Sequence, residues 1–179
     1  MKSKSEIESE LSKKGNFIKV DYLNGLLKEV DTIDMKKFVC LKLAKVYEDM
    51  GMFGDAGKAF DSVAKVSIAF SEKIKFHLRE VEMYIKAKDF VKVDEAVRKT
   101  MSEANLTEKE DIMFSVKSMY RKEAENYEKQ MKRNNAVRIY ERLIEMKMLE
   151  TEKNTIREKL IDLYNKLGKF EEARRLKGK

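Results

Sequence analysis

The sequence predicts an all-α protein, and three observations lead to this fold class. The 179-residue chain contains no proline and only seven glycines, and good helix formers dominate its composition. Apolar residues recur at helical spacing in one segment after another. Four tyrosines also recur at intervals of 37, 43 and 37 residues: Tyr47, Tyr84, Tyr127 and Tyr164. Because a period of this length indicates stacked supersecondary units, we expect a helical repeat protein with about ten helices and no strands.

The neighbours of the tyrosines repeat with them. The residues after Tyr47 and after Tyr164 match at the same offsets: Gly51, Phe53 and Ala56 against Gly168, Phe170 and Ala173. Aligned on the tyrosines, the chain forms one continuous domain over 1–179, with units at about 1–36, 37–73, 74–116, 117–153 and 154–179. Each unit is expected to hold a helix A, a tight turn and an antiparallel helix B.

Local signals place the turns and some helix starts. We expect turns centred on Gly15, Gly51, Lys88, Asn134 and Gly168, and the three glycines suit a left-handed residue just past a helix end. Capping-box spacing marks two helix starts, Ser5 with Glu8 and Thr107 with Glu110. The extra residues near 105–111 are expected to lengthen the following helix rather than form a loop, since the apolar pattern is unbroken from Thr107 to Met131.

The stretch from Leu43 to Phe60 and the stretch from Leu163 to Ala173 resemble the tetratricopeptide repeat (TPR) family, and the resemblance covers essentially the whole chain. The units depart from the family pattern at the place of a usual aromatic, which Cys40, His77 and Arg157 occupy. They also lack the terminal proline and exceed the usual period of about 34 residues. The resemblance implies a divergent TPR-like α-α solenoid of about five antiparallel helix pairs, used as a protein-binding scaffold.

Composition bears on the compartment. A single cysteine cannot form an intrachain disulfide, which favours a reducing cytosol. Residues 1–14 are charged and amphipathic without the apolar core of a signal peptide, and no window approaches 18 uninterrupted apolar residues. We therefore expect a cytoplasmic protein that does not enter the membrane.

The sequence offers little for catalysis. His77 is the only histidine and follows Cys40 by one repeat, which places the two on the order of 10 Å apart, too far for a nucleophile–base pair. Both are expected to fill space between helices. One histidine and one cysteine also cannot supply four zinc ligands, and no phosphate-binding loop is present. We expect no catalytic residue, no metal, no cofactor and no enzymatic activity.

A protein-binding groove is expected on the concave face of the A helices. Some TPR proteins bind a C-terminal carboxylate through Lys and Asn at successive A-helix positions, but Leu41 and Lys45 occupy the matching places in the best repeat. Beside Lys45, the predicted groove is apolar and consists of Phe38, Leu41, Leu78 and Ile85. Two alternatives are open: exposed side chains here would mark a protein contact, or they pack under the neighbouring unit.

Charge is concentrated in the last third of the chain. Residues 117–179 carry 18 basic and 11 acidic side chains, whereas residues 1–116 carry 21 of each. Seven of the nine arginines lie in this last third, and arginine suits phosphate groups. The candidate phosphate or RNA contacts are Lys132, Arg133, Arg138, Arg142, Arg174 and Arg175. The alternative is an ordinary solvated face of interleaved charges.

These observations support two functional hypotheses. The first is a non-enzymatic TPR-like adaptor that binds other proteins. The alternative is a ribosome- or RNA-associated factor, of the kind that bridges ribosomal subunits in archaea, docking through its basic last third. Leu23, Leu26 and Leu27 near one end of the array, and Leu160, Ile161 and Tyr164 near the other, are expected to be uncovered. One such face would then bind a partner or a second copy in a homodimer.

Overall fold

The computed structural model describes residues 2–178, and within them it contains ten α-helices and no strand. The all-α prediction is therefore confirmed. The helices are α1 Lys4–Ser12, α2 Asn16–Glu29, α3 Ile33–Asp49, α4 Phe53–Val66, α5 Phe70–Ala87, α6 Phe90–Ser102, α7 Leu106–Lys129, α8 Arg133–Ile144, α9 Glu150–Lys166 and α10 Phe170–Lys177.

The chain forms two compact units, residues 1–112 and 113–179, with the boundary inside α7. In the first unit, helices adjacent in sequence pack together: α2 on α3, α3 on α4, α4 on α5, and α5 on α6. In the second unit, α9 packs against both α8 and α10. The helix α7 has 24 residues, which confirms that the extra residues near 105–111 extend a helix.

One turn geometry occurs four times and in register with the tyrosines. The residue four positions after each tyrosine is left-handed, with φ between 57° and 73°, at Gly51, Lys88, Met131 and Gly168. The next N–H donates to the tyrosine carbonyl, as Met52 donates to Tyr47 at 2.9 Å and Lys132 to Tyr127 at 2.9 Å. This is the Schellman helix ending. The sequence period is thus also a period of backbone conformation.

Ion pairs link first helices of neighbouring repeats within each unit. In the first unit, Arg79 on α5 bonds Glu48 on α3 at 2.8 Å, and Lys37 on α3 pairs with Glu72 on α5. In the second unit, Arg121 on α7 lies 3.4 Å from Glu152 on α9. These partners are 31 to 35 residues apart, so they report the side-by-side placement of one A helix against the next.

The tyrosines lie mostly where the repeat alignment places them. Tyr84, Tyr127 and Tyr164 are buried, while Tyr47 is half-buried at the contact of two apolar clusters. A glycine explains how one ring fits: a Cβ on Gly57 of α4 would stand 2.7 Å from the Cε1 atom of Tyr84. The small residue therefore lets α4 and α5 approach closely.

Three local predictions are wrong. The fourth turn lies at 130–132, because the helix ends at a left-handed Met131 and Asn134 already belongs to α8. Gly15 has φ −71° and precedes α2 as its N-cap instead of closing α1 in a left-handed conformation. Both capping boxes form two residues earlier than expected, at Ser3 with Glu6 and at Asn105 with Glu108.

Candidate functional site

The predicted protein-binding groove consists mainly of side chains that pack. Phe38 lies against the cluster formed by α1, α2 and α3, and Leu41 lies against the cluster of α3, α4 and α5. Leu78 is half-buried, and Lys45 is exposed in an ion pair with Asp49 at 2.9 Å. Ile85 is only 1% exposed, because α5 packs against both α4 and α6 and is buried over a wide arc. For Ile85 the groove assignment is wrong, and packing is the alternative that the structure supports.

A different set of apolar side chains is exposed in the first unit. The first residue of each of three successive A helices, α3, α5 and α7, projects into solvent: Ile33 is 52% exposed, Phe70 is 65% and Leu106 is 85%. The Lys37–Glu72 ion pair joins the N-terminal parts of α3 and α5. Sequence reasoning missed this row, although its signal, an apolar residue just after each helix start, was present.

The candidate phosphate-binding residues lie on α8, on α10 and in the turn before α8. Lys132, Arg138, Arg174 and Arg175 are exposed, and Arg133 is half-buried. Within residues 2–178 none of these five side chains makes an ion pair. Arg142 differs, since its guanidinium bonds Glu145 at 2.8 Å. For Arg142 this pair supports the alternative of a solvated face of interleaved charges, because Glu145 lies one turn away, just after the end of α8.

The repeat alignment shows how these cations are arranged. Arg138 and Arg175 both stand 11 residues after a repeat tyrosine, and Lys132 and Lys169 both stand five residues after one. The two pairs therefore occupy equivalent places on α8 and α10, two helices that pack against the same α9. Arg138, Arg175, Lys132 and Lys169 are all exposed. We call these four residues the basic ladder.

A buried polar cluster in the first unit was not anticipated. The ligand atoms of Asp61, His77 and Glu80 lie within 4.8 Å of one another. His77 Nδ1 is 2.8 Å from a Glu80 oxygen, and the Lys99 ammonium donates to Asp61 at 2.7 Å and to Glu80 at 3.0 Å. His77 does fill space between helices, as expected, but it also bonds a carboxylate. The Lys99 ammonium lies between the two carboxylates, and Lys65 bonds Asp61 at 2.7 Å, so two ammonium groups balance the charge of the two carboxylates.

Burial and charge set the pKa values of this cluster. Burial alone would raise the pKa of Asp61, but bonds from Lys65 and Lys99 outweigh it and lower that pKa. For Lys99, bonds to Asp61 and Glu80 outweigh the effect of burial and raise its pKa. Burial, with the charges of Glu80 and Asp61, raises the pKa of the nearby Tyr84 to about 12. Asp61, Lys99 and Tyr84 are thus each held in one protonation state near neutral pH.

The second unit has a cluster of related composition. Lys159 on α9 donates to the Tyr140 hydroxyl at 2.9 Å, and that hydroxyl in turn donates to Glu128 at 2.5 Å. Burial and the Glu128 bond raise the pKa of Tyr140 to about 12. The ring of Tyr140 is therefore a buried structural group that fixes α8 against α7 and α9.

The two sets of apolar residues that were expected to be uncovered are mostly covered. Leu23 and Leu26 are buried in a cluster with α1 and α3, and Leu160 and Tyr164 are buried on α9, which α8 and α10 flank; Leu27 and Ile161 are half-buried. The prediction of uncovered end faces is wrong for the buried residues, because the short helices α1 and α10 suffice to cover them. This removes the stated reason for a homodimer.

Comparison with protein-family models, with curated proteins and with solved structures finds no match to this chain. Within residues 2–178, none of the helices combines the length and the apolar content that a bilayer crossing needs.

Proposed function

We propose that the protein is a TPR-like α-α solenoid that acts as a non-enzymatic adaptor for other proteins. The observation that supports the repeat class is the fourfold Schellman turn in register with the tyrosine period. The observation that supports protein binding is the row of Ile33, Phe70 and Leu106 at equivalent helix starts. Repeated apolar side chains in solvent are typical of interaction surfaces, and solenoids present such repeated surfaces to their partners.

A capture experiment tests this function. The tagged protein is incubated with native lysate, with and without nuclease and at low and high salt. We expect a partner protein that survives both treatments, since apolar contacts weaken little with salt. The triple variant Ile33→Ser, Phe70→Ser, Leu106→Ser should lose it. Phe114→Ser changes an equally exposed phenylalanine on α7 and should retain the partner. Retention by the triple variant would contradict the assignment of this surface.

A second candidate function is the binding of RNA, including ribosomal RNA, through the basic ladder. It is favoured by one observation: exposed cations at equivalent places on α8 and α10 that no carboxylate in residues 2–178 neutralises. Binding to phosphates releases counterions, so the affinity falls steeply with salt, with a slope of about one unit per phosphate contact. Nuclease should then release the captured material, in contrast to the adaptor outcome.

Charge reversal separates the two candidates. We expect Arg138→Glu with Arg175→Glu to lower the salt slope of RNA binding by about two and to abolish co-sedimentation with ribosomes. Reversal of Arg142, which is already paired with Glu145, is the matched control and should have less effect. If the two variants behave alike, or if RNA binding does not depend on salt, the ladder is a solvated face only.

A further inference from the structure

We propose that a groove at the N-terminal end of the first unit binds a cationic segment of a partner protein, namely a lysine or arginine side chain flanked by an apolar one. The inference rests on the proposed adaptor function and adds a class of partner to it. The groove has a volume of about 690 Å³ and runs along α2 beside the start of α1. This volume lies within the usual range of ligand-binding pockets.

The floor of the groove is apolar. Ile7 from α1, Leu26 from α2 and Val30 just after α2 line it, and all three belong to the core of this unit. The floor is therefore fixed by the fold itself. Gly25 provides the depth, because a Cβ built at this position meets nothing within 4 Å. Glycine in the middle of a helix lowers helix stability, and here no packing contact requires it.

The rim of the groove is acidic. Asp21 and Glu29 stand one turn before and one turn after Gly25 on the same face of α2, and Asp31 follows the helix. These three carboxylates are exposed, and within residues 2–178 they form no ion pair. Elsewhere in this unit some exposed carboxylates pair with a lysine, such as Asp34 with Lys4 at 2.6 Å and Asp49 with Lys45 at 2.9 Å. The rim thus offers unneutralised negative charge directly above an apolar floor.

One end of the groove already receives ammonium groups. The Lys2 ammonium lies 5.2 Å from the centroid of the Tyr22 ring, and the Lys14 ammonium lies 5.4 Å from it. Aromatic faces at this distance attract cations. Carboxylates above an apolar floor with an aromatic ring at the end complement a cationic amphipathic segment, in which an alkyl stem packs below and the charged head meets the rim.

The net charge of the protein makes this proposal easy to test. The chain carries +7, so its overall charge does not attract a cationic peptide, and saturable binding of one points to a local acidic site. The probe is a fluorescent 12-residue peptide of alternating Lys and Leu pairs, and a Glu–Leu peptide of the same length is the control. We expect saturable binding of the Lys–Leu peptide and none of the Glu–Leu peptide, measured by fluorescence anisotropy with the full chain.

Two variants separate charge from shape. The first is a triple variant that removes the rim charges: Asp21→Asn, Glu29→Gln and Asp31→Asn. The second, Gly25→Leu, fills the groove and leaves the rim charges in place. Each should weaken binding at least tenfold. The control for the rim variant neutralises three exposed carboxylates of the same unit outside the groove: Glu95→Gln, Glu110→Gln and Asp111→Asn. The control for Gly25→Leu is Gly54→Leu, at a helical glycine that also has open space around it. Neither control should change binding.

Several results would overturn the proposal. Equal loss in the carboxylate control would mean diffuse electrostatic attraction, and unchanged binding in Gly25→Leu would mean that the groove is not the site. Displacement of the peptide by spermine at equal affinity would mean that the site recognises charge without the apolar floor. Light scattering in which the chain self-associates, and in which Gly25→Leu abolishes that association, would assign the groove to a second copy. The adaptor function is tested at Ile33, Phe70 and Leu106, so failure of the groove leaves that result separate.

Discussion

Removing the Lys99 ammonium should expose the electrostatic cost of the buried cluster in the first unit. Glu80 is 2% exposed, and its carboxylate accepts bonds from Lys99 and His77. In Lys99→Met this carboxylate keeps only the histidine. Breaking a fully buried ion pair from one side costs about 3–5 kcal/mol. Because the Lys99 side chain is 39% exposed, water already weakens the pair, and we expect a loss of about 2–3 kcal/mol.

Two other repeats show which substitution at Glu80 should compensate for the loss of Lys99. Glu80 stands four residues before Tyr84, and the residues four before Tyr47 and Tyr164 are Leu43 and Leu160, both buried. Glu80→Leu therefore places a residue that the fold already accepts at this position. In the double variant Glu80→Leu, Lys99→Met neither member of the Glu80–Lys99 pair remains to be solvated, and Asp61 keeps its bond to Lys65 at 2.7 Å. Replacing both members of a buried pair is often close to neutral. We expect the double variant to lie within about 1 kcal/mol of the parent.

Urea unfolding followed by circular dichroism measures these differences. With a slope near 2 kcal/mol/M, typical of a small protein, Lys99→Met should lower the midpoint by about 1 M, and the double variant should recover most of it. Lys92→Met, in an exposed pair with Asp89, is the control and should change stability by less than about 0.5 kcal/mol. Equal destabilisation of Lys99→Met and the double variant would refute the electrostatic account.

Three further predictions concern the backbone and the tyrosines. Gly57→Ala should destabilise the fold by about 1–3 kcal/mol, because its Cβ would meet the Tyr84 ring. Gly25→Ala has open space around it and should stabilise the fold by about 0.5–1 kcal/mol. Thermal unfolding that shows a change of the same sign for both variants would contradict this packing. Met131→Gly should stabilise the fold by up to about 1 kcal/mol in urea unfolding, because it relieves a left-handed φ of 57°, and Arg133→Gly, two residues later, should not. The pKa of Tyr140 is about 12 in the folded protein against 10.0 unperturbed, so the stabilisation by its protonated hydroxyl is complete below pH 10 and is lost as the pH rises to about 12. Tyr140→Phe should therefore flatten the fall of the unfolding free energy between pH 10 and 12. An unchanged slope would contradict the raised pKa of Tyr140.

The sequence could predict the fold class and the repeat because both depend on local patterns. Helical spacing, the absence of proline and the tyrosine period placed four of the five turns at or next to the observed residues. The fourth turn was misplaced, because its left-handed residue is Met131 and a methionine in this conformation has no compositional signal. The predicted capping boxes were two residues too late for a related reason. Ser3 and Ser5 can both serve as an N-cap, as can Asn105 and Thr107, and the position of the helix in the fold decides between them.

The candidate sites could be predicted only in part, because burial and pairing depend on which helices face each other. Ile85 was expected in a groove, but contacts of α5 on two sides bury it. The link between His77 and Glu80 has helical spacing and was visible in the sequence, while its connection to Lys99 spans 19 residues and was not. The same holds for the N-terminal groove, whose lining comes from α1, α2 and the following loop.

Charge counting and structure together identify which cations are free. With 18 basic and 11 acidic side chains in residues 117–179, one-to-one pairing within this segment leaves at least seven of its cations without a partner there. Part of this excess consists of cations that form no ion pair within residues 2–178, namely Lys132, Arg138, Arg174 and Arg175. Arg142 does not belong to it, because it is paired with Glu145. Within residues 2–178 neither Arg138 nor Arg175 forms an ion pair, so Arg138→Glu with Arg175→Glu breaks no pair and should not lower the stability of the second unit. Loss of RNA binding in a variant that remains folded would then be attributable to the lost phosphate contacts themselves.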